Sequence, residues 1–227
     1  YGRGFRAPSF QQLLLRFENP TVGYVVAGNP ELGAETSHGV DAGVEWRPIE
    51  ELSLSASFFR NDVENLIAVV TADDPDATGT LLSYDNIASA WTMGLESTAT
   101  LRVDDVLGVV AGYTLTETWD GQNERQLEGR ARHRFTLATR LAYEPWEISF
   151  VARGAVMLDR VFYFDADGDG VDDATYPDPV AQVDLRLAKH FTRHLELFVG
   201  VDNLLDAGDA FTVLRPFTVY GGVRGRY

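Results

Sequence analysis

Residues 217–227 read Phe-Thr-Val-Tyr-Gly-Gly-Val-Arg-Gly-Arg-Tyr, and this stretch indicates the fold. One set of alternate positions carries Phe217, Val219, Gly221, Val223, Gly225 and Tyr227, and the other carries Thr218, Tyr220, Gly222, Arg224 and Arg226. Successive side chains of a β-strand point to opposite faces, so a period of two predicts a strand with one apolar and one polar face.

The same alternation recurs along the whole chain. It is found in residues 39–47, 52–59, 134–143, 146–153, 183–188 and 194–202, with two further candidates near 86–101 and 106–118. A tilted strand needs about 9–11 residues to cross a bilayer. The chain therefore has about nine strands, several of them as long as a membrane-crossing strand.

Short and long connections alternate between these strands. Short turns are predicted at 48–51, 103–105, 144–145 and 191–193, and long polar segments at 62–85, 119–130, 158–178 and 205–216. Transmembrane barrels join their strands by short periplasmic turns and longer outside loops, and the segment before His38 becomes another outside loop. The pattern predicts an all-β fold, a transmembrane antiparallel β-barrel. A soluble β-sandwich is the alternative.

Composition agrees with a barrel and excludes other classes. Hydrophobic residues make up 45% of the chain, yet no apolar run approaches the ~18 residues of a membrane helix. The net charge of −15 argues against a nucleic-acid partner, and the absence of cysteine excludes disulfides. Lys189 is the single lysine. Trp46, Tyr143, Trp146 and Tyr227 lie near strand ends, where a barrel has an aromatic girdle, although ordinary core packing is the alternative.

Several segments resemble TonB-dependent outer-membrane receptors. Residues 4–9 read Gly-Phe-Arg-Ala-Pro-Ser, and residues 28–37 read Gly-Asn-Pro-Glu-Leu-Gly-Ala-Glu-Thr-Ser, where the family usually has Pro at Ala34. Residues 201–206 and 220–227 are similar to the last two strands of the family, and residues 86–96 are a weaker match. These segments follow the order and spacing of the family from end to end.

The resemblance implies a 22-stranded barrel with a plugged lumen. The chain would be a single-domain fragment, residues 1–227, with about ten C-terminal strands. The plug, the TonB box and the first strands would lie outside it. A complete ten-stranded barrel is the alternative. Tyr227, an aromatic last residue after an alternating strand, resembles the signal read by the barrel-assembly machinery.

The resemblance also implies a function. The expected protein is a receptor in the outer membrane of a Gram-negative bacterium, surrounded by outer-membrane lipid. It would capture a large, scarce nutrient, most commonly an iron–siderophore complex, and admit it with energy from the TonB–ExbB–ExbD complex. Cobalamin, haem, sugars and other metal chelates remain alternatives. A passive channel or porin is the main competing function.

An acidic segment is a candidate calcium loop. Asp165, Asp167 and Asp169 are spaced like the first ligands of an EF-hand loop, and Gly170 permits the sharp turn. The bidentate Glu is absent, and Asp172 or Asp173 would have to replace it. Ca²⁺ is thus the candidate cofactor of this chain, and a solvated acidic loop without a bound ion is the alternative.

Ligand-contacting residues are harder to predict. The candidates are loop aromatics, namely Phe162, Tyr163, Tyr176 and Trp119, with Tyr24, Tyr84, Trp91 and Phe211 as further members of the set. Charged residues of mixed sign on the polar faces suit contact with a plug or solvation. These are Asp41, Glu45, Arg47, Glu96, Arg134, Arg140, Glu147, Arg153, Asp184, Arg186, Arg224 and Arg226.

No catalytic residue is predicted. The sequence has no HExxH motif, nucleophile elbow or phosphate-binding glycine loop, and the four histidines lie near predicted strand ends. A small outer-membrane barrel enzyme would use Asp, His or Ser side chains at the barrel top, and single residues of these types do not identify one. The chain is therefore not expected to be an enzyme.

Overall fold

The computed structural model describes residues 1–19, 24–72, 80–121, 123–164, 172–192, 194–208 and 215–225. The strands are β1 (Gly2–Arg6), β2 (Arg16–Asn19), β3 (Tyr24–Ala27), β4 (Glu35–Ile49), β5 (Leu52–Ala72), β6 (Thr80–Val103), β7 (Leu107–Asp120), β8 (His133–Tyr143), β9 (Ile148–Leu158), β10 (Phe162–Phe164), β11 (Asp173–Thr175), β12 (Val180–Thr192), β13 (Leu195–Asp202) and β14 (Thr218–Gly225). One short helix, α1 (Phe10–Leu14), and a 3-10 turn at Glu144–Trp146 complete the described elements. Among the described residues, no helix has the length and apolarity of a membrane-spanning helix.

The main sheet is an antiparallel meander. Its strand order is β1-β4-β5-β6-β7-β8-β9-β12-β13-β14, so nearly every strand pairs with its neighbour in sequence. Two short strands lie off this path, because β2 pairs with β3 and β3 pairs in parallel with β6. Strands β10 and β11 form a separate two-stranded sheet. This order confirms the predicted antiparallel fold.

The chain divides into two compact units. The first consists of Tyr1–Asp41, Phe59–Met93 and Thr118–Gln126, and the second of Ala42–Phe58, Gly94–Glu117 and Leu127–Tyr227. In the first unit, Val25, Leu32, Ile67 and Ala90 are the buried apolar side chains. In the second unit, Val161, Val180 and Ala188 are buried.

The second unit has the two different faces that the alternation predicts. In β13, Leu195, Leu197 and Val199 are exposed, whereas Glu196 is only 7% exposed. Paired residues of neighbouring strands lie on the same face. Leu197 is paired with Lys189 and Val223, and Glu196 is paired with His190 and Arg224. We call the face of Leu197 the apolar face and that of Glu196 the polar face. An exposed apolar face is what contact with lipid requires, and the polar face of such a barrel faces its lumen.

The predicted aromatic girdle residues lie at the short-turn end of the sheet. Trp46, Tyr143 and Trp146 are 62%, 51% and 65% exposed. The rings of Tyr143 and Trp146 pack edge to face with centroids 5.6 Å apart. Amphipathic rings exposed at strand ends are typical of the membrane interface. Tyr227 lies outside the described residues.

Several predicted loops were wrong. Residues 62–72 continue β5 and residues 80–85 belong to β6, so most of the predicted 62–85 loop is strand. The predicted 158–178 loop contains β10 and β11, and the predicted 119–130 loop contains a bridge between Asp120 and Arg125. The segment before His38 contains α1, β2 and β3. Backbone pairing continues where no apolar face is needed, so the period-two pattern does not mark these strands.

Candidate functional site

The most ordered charge cluster on the polar face surrounds Glu196 on β13. Arg186 on β12 donates to Glu196 Oε1 at 2.6 Å, and Arg224 on β14 lies 3.7 Å from the same oxygen. His190 Nε2 lies 3.7 Å from Oε2. The side chain of Glu196 is 9% exposed, so its charge is compensated by cations from both neighbouring strands. The predicted polar-face charges Arg186 and Arg224 are thus brought together by the strand register.

Aromatic side chains and glycines interlock beside this cluster. Tyr220 on β14 lies over Gly200 on β13, where an added Cβ would be 2.4 Å from Tyr220 Cζ. Phe198 lies over Gly222 in the same way, with the added Cβ 2.8 Å from Phe198 Cζ. Arg186 stacks on Phe198, with Cζ 4.6 Å from the ring centroid. The glycines leave room for a flat aromatic and cationic surface, because any larger residue would displace the rings.

A pocket of about 630 Å³ opens on this polar wall. Of the residues above, Arg186, Phe198, Tyr220 and Arg224 line it. Its lining also includes Arg153, Asp184, Asp202 and Arg215. Arg215 Nη1 lies 3.8 Å from Asp202 Oδ2. Arginines with carboxylates and aromatic rings present hydrogen-bond donors and flat stacking surfaces together. This wall can bind a polar protein surface or a ligand that carries oxygen acceptors and aromatic rings.

The loop that follows β13 is held by a buried asparagine. Asn203 is 1% exposed and has a φ of 49°. Its Nδ2 donates to the carbonyl oxygens of Ala207 and Arg215, and its Oδ1 accepts from Ala207 N–H. Asparagine tolerates the left-handed conformation and its amide can serve both ends of a loop. The Asp-Asn-Leu-Leu-Asp segment is therefore a loop anchor beside the pocket.

The motifs at 4–9 and 28–37 meet through an ion pair in the first unit. Arg6 on β1 donates through Nε to Glu35 Oε2 at 2.6 Å and through Nη2 to Oε1, while Ile67 N–H donates to Oε1 at 2.8 Å. Glu35 begins the 15-residue strand β4 at the end far from the Ile49 turn, beyond the ~10 residues that cross a bilayer. The Arg6 hydrogen bond lowers the pKa of Glu35 despite the opposing effect of burial, and the Ile67 N–H lowers it further.

A second asparagine joins three segments of the same unit. Asn86 Oδ1 accepts from Gly33 N–H at 2.7 Å, and its Nδ2 donates to the carbonyls of Gly33 and Asn65. Asn29 adds a hydrogen bond from its Nδ2 to Tyr84 O at 3.0 Å. The family-like residues in this unit therefore have structural roles that sequence reasoning did not assign.

Of the five predicted calcium ligands, the structure describes Asp172 and Asp173. Asp165, Asp167 and Asp169 lie outside the described residues. Asp172 and Asp173 are exposed, and Asp173 begins β11. Within the described ranges, no three His, Asp or Glu side chains are grouped as a metal site would require.

The candidate ligand-contacting aromatics do not form one group. Phe162 and Tyr163 are partly buried in β10, with Phe162 paired with Thr175. Tyr176 is 67% exposed and Trp119 is 38% exposed. The carbonyl of Tyr84 is bonded to Asn29, and the ring of Trp91 lies under Arg60. The side chain of Tyr24 and the whole of Phe211 lie outside the described residues.

Residues 1–204 match the family described as TonB dependent receptor-like, beta-barrel. The chain belongs to this family. Its apolar and polar faces, the girdle at the short-turn end and the antiparallel meander are the features that the family assignment explains. This TonB-dependent receptor barrel resides in the outer membrane of a Gram-negative bacterium.

Two curated relatives are similar over about half of the chain. The "Heme/hemopexin utilization protein C" of Haemophilus influenzae is 32% identical over 121 residues, which cover 46% of this chain and 17% of that protein. The "Iron-regulated outer membrane virulence protein" of Vibrio cholerae is 28% identical over 122 residues, covering 51% of this chain and 19% of that protein. The aligned part thus spans less than a fifth of these relatives.

Solved structures agree on the fold. The ferric enterobactin receptor of Pseudomonas aeruginosa superposes with a TM-score of 0.74 at 22% identity, covering 98% of this chain and 37% of that one. The siderophore receptor PirA of the same organism gives 0.67 at 19% identity, with 97% and 37% coverage. Both of these solved structures are named as receptors.

Proposed function

We propose that this chain forms the C-terminal wall of an outer-membrane receptor that takes up an iron chelate by TonB-coupled transport. The observation that carries the proposal is the polar wall around Glu196, Phe198 and Tyr220, whose pocket of about 630 Å³ lies on the face opposite the lipid-facing side chains. The names of the relatives support iron as the nutrient: haem in one case, ferric enterobactin in another.

Four arginines line the pocket: Arg153, Arg186, Arg215 and Arg224. Three carboxylates, from Asp184, Asp202 and Glu196, lie in or beside it. A wall with charges of both signs suits contact with a folded plug, because it offers hydrogen-bond donors and acceptors to the polar groups on the plug surface. An ion-conducting pore would instead be open to water along this wall. From the membership of this family we further propose a plug, a 22-stranded whole of which residues 1–227 are one fragment, and the TonB–ExbB–ExbD complex as the energy source.

The calcium loop and the assembly signal remain proposals as well. Ca²⁺ bound by Asp165, Asp167 and Asp169 with Asp172 or Asp173 would order the segment between β10 and β11. Calcium titrated calorimetrically into the purified receptor tests this, with the D167N/D169N double variant as control. No heat at millimolar Ca²⁺ contradicts it.

Tyr227 is proposed as the residue read by the barrel-assembly machinery, and no enzymatic activity is assigned.

The function is tested by electrical recording together with growth. The full-length receptor reconstituted in a planar bilayer is expected to show no steady open pore. Deletion of its gene is expected to impair growth when a ferric siderophore or haem is the only iron source. A steady conductance together with unimpaired growth would favour the passive channel.

A further inference from the structure

The apolar face carries one unusual cation. Lys189 on β12 is paired with Ile148 on β9 and Leu197 on β13, so the strand register places it on the apolar face. The neighbouring large side chains of this face, Leu187, Phe191 and Leu197, are all more than 40% exposed. A lysine amid lipid-facing residues is costly unless its ammonium reaches the interface.

Lys189 lies at the interface level. Its strand partner Ile148 is itself paired with Tyr143, the last residue of the 11-residue strand β8. About 9–11 residues span the bilayer, so this level is the membrane boundary on the short-turn, periplasmic side. The exposed rings of Tyr143 and Trp146 lie at the same level, as interfacial aromatics do.

The ammonium is held in place but not neutralised. Lys189 Nζ donates to the backbone oxygen of Trp146 at 2.6 Å and lies 5.4 Å from the centroid of the Phe191 ring. Among the described residues, no carboxylate lies within ion-pair distance of it. An ammonium has three donors, and one of these is used. Within the described part of the chain, its other two N–H donors thus have no hydrogen-bond acceptor.

The acidic residues of the turn that contains Trp146 form no ion pair with Lys189. Glu144 and Glu147 line a pocket with Arg140 and His190 of the polar face and with Tyr143 and Ile148. The apolar face around Lys189 therefore offers one cation framed by aromatic rings. This combination matches a phosphate group joined to acyl chains, because the charge binds the phosphate and the rings and aliphatic side chains contact the lipid body.

We propose that Lys189, with Trp146 and Phe191, binds the phosphate of an anionic glycerophospholipid in the periplasmic leaflet. One lysine near a membrane surface contributes about 1 kcal/mol to binding of anionic lipid, which corresponds to about a fivefold change in affinity. The site would fix the depth of this part of the barrel in the bilayer. It does not depend on which nutrient the receptor transports.

The test is native mass spectrometry of the full-length receptor, purified in detergent and titrated with dioleoylphosphatidylglycerol. Lys189→Met keeps the aliphatic stem and removes the charge, and we expect about fivefold weaker binding of one lipid. Lys189→Arg should restore binding. Arg47→Gln removes the same charge from the polar face, near the exposed Trp46, and should bind lipid like the wild type.

Heat-modifiable mobility in gel electrophoresis checks that each variant is folded. Equal lipid binding by wild type and Lys189→Met would overturn the proposal. An equal loss of binding in Arg47→Gln would also overturn it, because the effect would then follow net charge. A failure of Lys189→Arg to restore binding would overturn it as well. Titration with lipopolysaccharide, an outer-leaflet lipid, should show no dependence on Lys189, and a dependence there would also contradict the site.

Discussion

Asp184 Oδ1 accepts a hydrogen bond of 2.8 Å from the backbone N–H of Asn203. Asp184 lies on the polar face of β12 and lines the pocket, while Asn203 begins the loop after β13. The charged wall and the loop anchor are thus joined at one atom. A substitution at Asn203 should therefore also alter the position of Asp184 in the pocket wall.

Asn203→Ala should release the loop after β13. The change removes the two donations to Ala207 O and Arg215 O and the acceptor of Ala207 N–H, all from a side chain that is 1% exposed. We expect a local destabilisation of about 2 kcal/mol, seen as roughly thirtyfold faster hydrogen exchange at the Ala207 amide.

Asn203→Gly separates the backbone from the side chain. Glycine relieves any cost of the φ of 49° but restores none of the amide hydrogen bonds. If exchange in Asn203→Gly equals that of the wild type, the anchor is the backbone conformation and the amide hydrogen bonds have no role.

Gly200→Ala should disturb the aromatic surface. Its Cβ would lie 2.4 Å from Tyr220 Cζ, so the ring must move, and such overpacking costs about 1–3 kcal/mol. Urea unfolding of the receptor in lipid vesicles measures the loss. Gly225→Ala on β14 has nothing within 4 Å of the added Cβ and is the matched control. A second change, Tyr220→Leu, should recover part of the lost stability, and no recovery would mean that the ring is not the obstacle.

Glu35 should make the first unit sensitive to acid. Arg6 lowers the pKa of Glu35 in the folded state. The ionised Glu35 therefore stabilises the fold fully above its ordinary pKa of 4.5, and this stabilisation is lost as the pH falls through the lower pKa of the folded state. The protection of the Ile67 amide against hydrogen exchange should therefore decrease below about pH 4.5 in the wild type. In Glu35→Gln it should be lower at neutral pH and nearly flat with pH. The exposed Glu31→Gln is the control, and an identical pH profile in Glu35→Gln would exclude this role.

Arg186 and Glu196 should be energetically coupled. Arg186→Met leaves Glu196 with Arg224 and His190 at 3.7 Å, and the Arg186 side chain is 30% exposed, so water screens part of the loss. We expect a coupling energy of about 1–3 kcal/mol in a double-mutant cycle of Arg186→Met with Glu196→Gln. The same cycle with Arg224→Met should give less than about 1 kcal/mol. Equal coupling for the two arginines would contradict the geometry.

The alternation of side chains was sufficient to predict the faces of β9, β12, β13 and β14. The polar-face assignments of Arg153, Asp184 and Arg186 agree with the lining of the pocket. They could be predicted because lipid on one side and a hydrated interior on the other impose a strict period of two. The girdle residues followed from the same reasoning, since they lie where the apolar face ends.

The structural features that were not predicted from the sequence share one cause. Residues 62–72 of β5 follow the ~10 residues that a strand needs to cross a bilayer, and beyond that length neither face has to be apolar. The parallel pairing of β3 with β6 was not predicted either. Asn86 and Asn203 were assigned no structural role, because their function depends on carbonyl and amide groups that only the folded chain brings together. Polar side chains that bond to backbone leave no periodic pattern.

The most direct test of the proposed transport is uptake of ⁵⁵Fe-labelled ferric siderophore or haem by cells that express the full-length receptor, with and without functional TonB. We predict that both cell types bind the ligand at the surface, and that accumulation inside requires TonB. Accumulation that is equal in the two cell types, and not saturable with ligand concentration, would contradict the account and indicate a passive channel.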